Sequence, residues 1–233
     1  MTEALELCAQ AEGVRVCRDG GEAPLRRSFA REHRLSLLVD GEPFAQIHCT
    51  PSQLRQLALG RLCTAGRIAG AEDVLSLRFS ESRDRAEAAL RPGAGAGGKR
   101  SPRNRSVWRS EDIFRLSAAL RAAMPLHDET YGTHGAALMY LGETLCCCED
   151  IGRHNAIDKA VGTALERDIP LGECILYTTG RIAADIVEKT AAAGIKVLVS
   201  RALPTAEALE LAGTRGITLI GRAWEDQFEV YTR

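Results

Sequence analysis

The apolar positions change period along the chain, and the changes divide it into parts. Residues 1 to about 33 hold no sustained period and are polar, with a turn cluster from Gly20 to Pro24, so an irregular start is expected. Leu35 to Val39 and Phe44 to Cys49 then flank Asp40-Gly41, which predicts a hairpin. Thr50-Pro51-Ser52-Gln53 reads as a capping box, and Leu54, Leu57, Ala58 and Leu62 share one face of the helix it would open, with Gly66 as a stop. Val74 to Phe79 alternates like an edge strand.

Beyond Arg109 the pattern becomes regular. Ser110 caps a helix carrying Ile113, Leu116, Leu120 and Met124, which Pro125 halts. Ala136 to Tyr140 and Thr144 to Cys148 form a second hairpin around Gly142. Helices at about 154–166, 181–193 and 205–211 then alternate with strands at 174–178, 196–200 and 217–220, and a last strand lies near Phe228 to Tyr231. Such alternation predicts an α/β fold, a layered and largely parallel sheet with flanking helices, whose ligands sit beyond the carboxyl ends of the strands. The division is an N-terminal α+β portion at 1–91, a Gly/Arg-rich linker at 92–109 and an α/β domain at 110–233.

The linker cannot build a core, because Pro92 to Gly98 is Gly, Ala and Pro, and Lys99, Arg100, Arg103, Arg105 and Arg109 follow. It reads as a solvated loop or as an electrostatic arm for an anionic partner. It is not a P-loop, since the Gly-Lys-Ser/Thr ending is missing. A formal net charge of -1 gives no global field for nucleic acid. No apolar run approaches the length of a membrane span, and the acids in the first six residues do not suit a signal peptide, so a cytoplasmic protein is expected. The eight cysteines contain no Cys-x-x-Cys pair, and most read as reduced core residues. Cys146, Cys147 and Cys148 are consecutive in a strand, which sends the middle one to the opposite face.

The candidate chemistry gathers at residues 149–159, Glu-Asp-Ile-Gly-Arg-His-Asn-Ala-Ile-Asp-Lys. A helix N-terminus carries a positive dipole end, so Arg153 and His154 in its first turn are unfavourable unless an anion lies there. Asn155, Asp158 and Lys159 share a face away from the apolar stripe of Ile157, Ala160, Val161 and Ala164. Arg153, His154 and Lys159 with free backbone N–H groups are therefore expected to cradle a phosphate, unless this is a surface helix with scattered charges.

Residues 149–159 resemble the signature of the FdhD family of formate dehydrogenase accessory sulfur carriers. Thr178-Thr179-Gly180-Arg181 with Asp185 and Lys189, Gly132 to Ala137, Ser200 to Thr205 and the closing segment from Leu219 are similar to further parts of that family, although Asp185 stands where a Glu is usual. The resemblance implies a cytidine-deaminase-like fold and a homodimer. It also implies binding of molybdenum bis-molybdopterin guanine dinucleotide, with GDP as an analogue, and delivery of sulfur from a cysteine desulfurase for formate dehydrogenase. The implied cofactor-binding residues are His134, Arg153, His154, Asn155, Lys159, Thr179, Gly180, Arg181 and the segment Arg222, Ala223, Trp224, Glu225, Asp226 and Gln227. His134 also reads as a satisfied half-buried histidine, and Trp224 as a core or interface residue. The family's persulfide loop belongs before Ser110, yet no cysteine stands between Cys63 and Cys146. A thiolate is the required nucleophile. Cys148, next to the cradle and with Arg153 to lower its pKa, is the candidate replacement, against a reading of all three thiols as strand packing. Zinc deamination is excluded, because His134 lacks the following Glu and the cysteine pair is missing. A diverged chaperone or nucleotide-binding module is the alternative function.

Overall fold

A computed structural model describes residues 5–95 and 108–233. Two sheets sandwich a layer of helices. The N-terminal portion supplies a sheet of order β4-β3-β6-β5, built from β3 (His33–Val39), β4 (Glu42–Cys49), β5 (Val74–Phe79) and β6 (Arg85–Leu90). As expected, β5 is an edge. β6 escaped the sequence pattern because its inward residues are Ala86 and Ala88, fully buried but with little strand propensity.

The second sheet has the order β12-β11-β10-β9-β7-β8. Its centre, β9 (Cys174–Thr178), β10 (Val197–Ser200) and β11 (Thr218–Gly221), is parallel. The hairpin β7 (His134–Tyr140) and β8 (Glu143–Asp150) runs antiparallel to β9, and β12 (Glu229–Val230) antiparallel to β11. The sheet is thus mixed rather than largely parallel. One consequence matters for the site: the start of β7 lies at the same edge as the ends of β9, β10 and β11.

Between the sheets lie α1 (Leu54–Thr64) and α4 (Arg153–Glu166), with α5 (Ala184–Ala193) packed against α1 and α6 (Ala206–Arg215) against α5 and β11. α1 and α4 cross at contact distance: a Cβ on Gly60 would stand 1.7 Å from the Asp158 carbonyl oxygen, and one on Gly162 1.9 Å from that of Gln56. One apolar cluster runs from Leu35 and Leu37 through Leu57 and Ile157 to Leu176 and Leu219, so both portions share a core. α2 (Ser110–Ala122) covers the other face of the second sheet, where Ile113, Leu116, Tyr177 and Val199 form a second cluster, and the short α3 (Pro125–Thr130) follows it.

Three local expectations need correction. Residues before His33 are not irregular: β1 (Cys8–Val16) pairs with β2 (Glu22–Ala30) from Cys8↔Ala30 to Val16↔Glu22. Exposed on both faces, with Val14, Val16 and Phe29 all toward solvent, this ribbon leaves no buried-face period in the sequence. Thr50 to Gln53 forms no capping box; Gln53 precedes α1 with a φ of 52° and gives no side-chain cap. At α2 the cap lies one residue earlier than expected, where Arg109 N donates to Asp112 Oδ2 at 3.0 Å. The linker's ends are held, Gly95 N by Asp73 Oδ2 at 3.3 Å and Trp108 by an edge contact with Phe228 at 6.0 Å. Its basic run from Lys99 to Arg105 falls outside the described residues. Among the described residues no helix is long and apolar enough to cross a membrane.

Candidate functional site

The junction from β8 into α4 turns its polar residues inward. Asp150 is fully buried, and its Oδ1 accepts from Gly152 N and Asn155 Nδ2, each at 2.9 Å. Its Oδ2 accepts from Thr50 N at 3.1 Å and lies 2.7 Å from Lys159 Nζ. That ammonium, fully buried, also donates to Thr50 Oγ1 at 2.6 Å, Glu149 O at 3.2 Å and Ser52 Oγ at 3.3 Å. Asn155 ties a third element by donating to His48 O at 2.6 Å. One residue before Lys159, Asp158 Oδ1 accepts from Thr64 Oγ1 at 2.7 Å and from Lys189 Nζ at 2.5 Å. Burial pulls the Lys189 ammonium below its ordinary range, against the pull of Asp158. A buried charge needs this density of partners to offset its desolvation. The Asn155, Asp158 and Lys159 face therefore fastens α4 to the N-terminal portion and does not face a guest molecule. That corrects the expected cradle.

The two other cations of the junction separate. His154 Nε2 lies 3.2 Å from Asp185 Oδ2, and burial holds this imidazole below its usual range despite that carboxylate. Arg153 lies against Gly180, where a Cβ would meet its Cβ at 2.8 Å; its Nε is buried without a hydrogen-bond partner. Gly180 is therefore a packing position, its N–H and carbonyl engaged by Thr178 Oγ1 and Ser200 Oγ at 3.1 and 2.7 Å. Arg181 is exposed and lines none of the cavities described below.

Cys148 also needs correction as a sulfur carrier. It is 1% exposed and belongs to the core shared with α1 and α4, whereas Cys147 packs against the opposite cluster, as the strand alternation requires. Its thiol is held below the usual range by a hydrogen bond from Cys146, against burial, with Gln53, Thr163 and Lys159 contributing. Burial pushes Cys147 up to about 11. Iodoacetamide on the native protein is expected to label exposed Cys17 and to spare Cys148 until the chain unfolds. Peptide mapping that finds both labelled at equal rates would contradict this burial.

Two adjoining chambers lie on the α2 side of the second sheet, at the carboxyl ends of β9, β10 and β11. A chamber of about 700 Å³ is lined from α2 by Ser117, Leu120 and Arg121, and from the strand ends by Tyr177, Thr179, Arg201 and Arg222. Trp224, Glu225, Asp226 and Gln227 close it. A second chamber of about 500 Å³ shares Met124, Thr179, Arg201 and Trp224 with the first and adds His127, Thr133 and His134. The shared wall is a stack, the Arg201 guanidinium 4.3 Å from the centroid of the Trp224 ring. Ala223 is buried behind that wall, where its carbonyl accepts from Tyr177 Oη at 2.6 Å and its N–H donates to Ser200 O at 3.0 Å. Thr179 clips the edge together, donating its N–H to Gly135 O and accepting from Gly135 N, both at 2.9 Å.

Among the cations here, Arg121 stands 3.8 Å from Glu225 and Arg222 3.6 Å from Glu229. Arg201 forms no ion pair among the described residues, so its charge is uncompensated where both chambers meet. The cleft thus brings together His134, Thr179, Arg222, Trp224, Glu225, Asp226 and Gln227 from the expected set, with Arg153 close enough to depress the basicity of His134. His154, Asn155, Lys159, Gly180, Arg181 and Cys148 stay outside it. Sequence reasoning missed Arg201, yet a signal existed: it follows the last residue of β10, which pairs with the last residue of β9, so it stands level with Thr179. His127, on a six-residue helix after Pro125, gave no signal.

Residues 30–233 match the FdhD/NarQ family model. A protein of Geobacillus kaustophilus named sulfur carrier protein FdhD is 30% identical, over 96% of this chain and 95% of its own. One of the same name from Staphylococcus haemolyticus is 29% identical over 88% of each. The crystal structure of a protein assigned as a formate dehydrogenase accessory protein, from Desulfotalea psychrophila, superposes with a TM-score of 0.86 at 25% identity, over 98% of both chains. The chain belongs to the FdhD/NarQ family.

Proposed function

We propose that this chain serves formate dehydrogenase maturation by holding molybdenum bis-molybdopterin guanine dinucleotide in the two-chambered cleft. The observation that carries the reading is the Arg201–Trp224 stack, an indole face for a flat heterocycle beside a guanidinium that lacks an ion-pair partner among the described residues. A dinucleotide has both matching parts, a fused ring and a pyrophosphate. Family membership names the client process, and a cysteine desulfurase would be the source of the sulfur. GDP titrated into the wild-type protein by calorimetry is expected to bind. Arg201→Ala should weaken it by about tenfold or more, the scale of one lost charge-assisted contact. No saturable binding to wild type, or equal affinity in Arg201→Ala, refutes the cleft as the nucleotide site.

A second reading, a cofactor chaperone without a persulfide relay, is favoured by the absence of cysteine between Cys63 and Cys146 and by the burial of Cys148 on the sheet face opposite the cleft. Intact mass after incubation with a cysteine desulfurase and cysteine separates the two. A gain of one sulfur atom that persists in Cys148→Ala assigns the relay to another thiol. No gain supports the chaperone.

A further inference from the structure

We propose that the second chamber is an oxyanion site, built for the oxo-bearing metal head of the cofactor while the first chamber takes the nucleotide end. This rests on the reading above and joins His127 and Arg201, which the sequence did not offer, to His134 and Thr179, which it did.

The two chambers differ in charge. The first mixes Arg121, Arg201 and Arg222 with Glu225 and Asp226. Among the residues lining the second there is no carboxylate; its polar groups are two imidazoles, the hydroxyls of Tyr131, Thr133 and Thr179, and the Arg201 guanidinium. Glu149 stands behind that wall with both oxygens committed. Oε1 accepts from His127 N at 2.8 Å and Thr133 Oγ1 at 3.0 Å, and Oε2 accepts from Leu126 N at 3.1 Å. Two donors in the chamber, on Thr179 and His134, are left free by their own geometry. The Thr179 hydroxyl accepts from Gly135 N, so its proton remains to be given. His127 Nδ1 donates to the Thr133 carbonyl at 2.8 Å, so its Nε2 gives a hydrogen bond to a guest anion only when the ring is an imidazolium. His134 forms no side-chain hydrogen bond among the described residues, although it is half-buried. Burial, then Arg153 and His127, keep its imidazole below the usual range, so it stays neutral with one N–H to donate. A cavity with a cation and neutral donors but no acid stabilises an anion and disfavours a bare cation.

Tungstate is the probe, titrated by calorimetry into the free protein and into protein saturated with GDP. The expected result is saturable binding in both, weakened at least tenfold in His134→Gln and in Arg201→Gln, with GDP still binding His134→Gln. Three results overturn the inference. Tungstate fails to bind while GDP does, which leaves the nucleotide reading standing. GDP excludes tungstate, which places the anion on the nucleotide phosphates. Or tungstate binds His134→Gln as it binds wild type, which places it elsewhere. Failure of both ligands overturns both readings.

Discussion

Replacing Lys159 with Met is expected to cost about 3–5 kcal/mol of folding stability and to leave GDP affinity within about twofold of wild type. The ammonium is fully buried against Asp150, and the network reaches Thr50 and Ser52 from a segment a hundred residues away in sequence. Removing the cation strands a carboxylate that has no access to water, and the hydrogen bonds from Gly152, Asn155 and Thr50 neutralise none of its charge. The penalty is therefore the cost of an uncompensated buried ion, larger than the net worth of the pair. It follows that Asp150→Asn in the Lys159→Met background should restore part of the loss. Urea unfolding followed by circular dichroism measures both effects. A ligand lysine would behave in the opposite way: little change in the urea midpoint and a large fall in nucleotide affinity. That pair of results would return Lys159 to the site.

The same residues explain what was legible in the sequence. Strand and helix alternation after Ser110 placed the strand ends, whereas Thr179, Arg222 and Trp224 were singled out by the family resemblance; the fold brings the two together at one edge of the sheet. Lys159 was misread for a definable reason. Helical spacing shows which residues share a face but not what the face meets, and here it meets α1 and the segment before it, long-range partners that no local pattern announces. His154 was likewise read as awaiting an anion when Asp185, on α5, supplies one at 3.2 Å. The alternation of Cys146 to Cys148 was sound as geometry, since Cys147 does face the other cluster. It could not show that both faces of β8 are covered. A motif that looks like chemistry here joins two halves of the molecule.

That joining depends on two glycines, and substituting either by Ala is the sharper test. In an open helix the change stabilises by up to about 1 kcal/mol, because Ala loses less backbone entropy. Gly213 in α6, whose Cβ would meet nothing within 4 Å, is the internal control and should show that gain. At Gly60 and Gly162 the sign should reverse. The added carbon would sit 1.7 Å from the Asp158 carbonyl oxygen or 1.9 Å from that of Gln56, and neither is the flexible end of a side chain that can swing away. The helices must separate, which opens the shared core around Leu57 and Ile157 and stretches the Thr64–Asp158 and Thr50–Lys159 contacts together. Each Ala variant is expected to lose about 2–4 kcal/mol. The double variant should lose less than the sum, since one separation relieves both clashes. Equal midpoints for Gly162→Ala and Gly213→Ala in urea would mean that α1 and α4 do not cross at contact distance. With that crossing would fall the account of why the most distinctive stretch of this chain points inward, away from the chambers on the other side of the sheet.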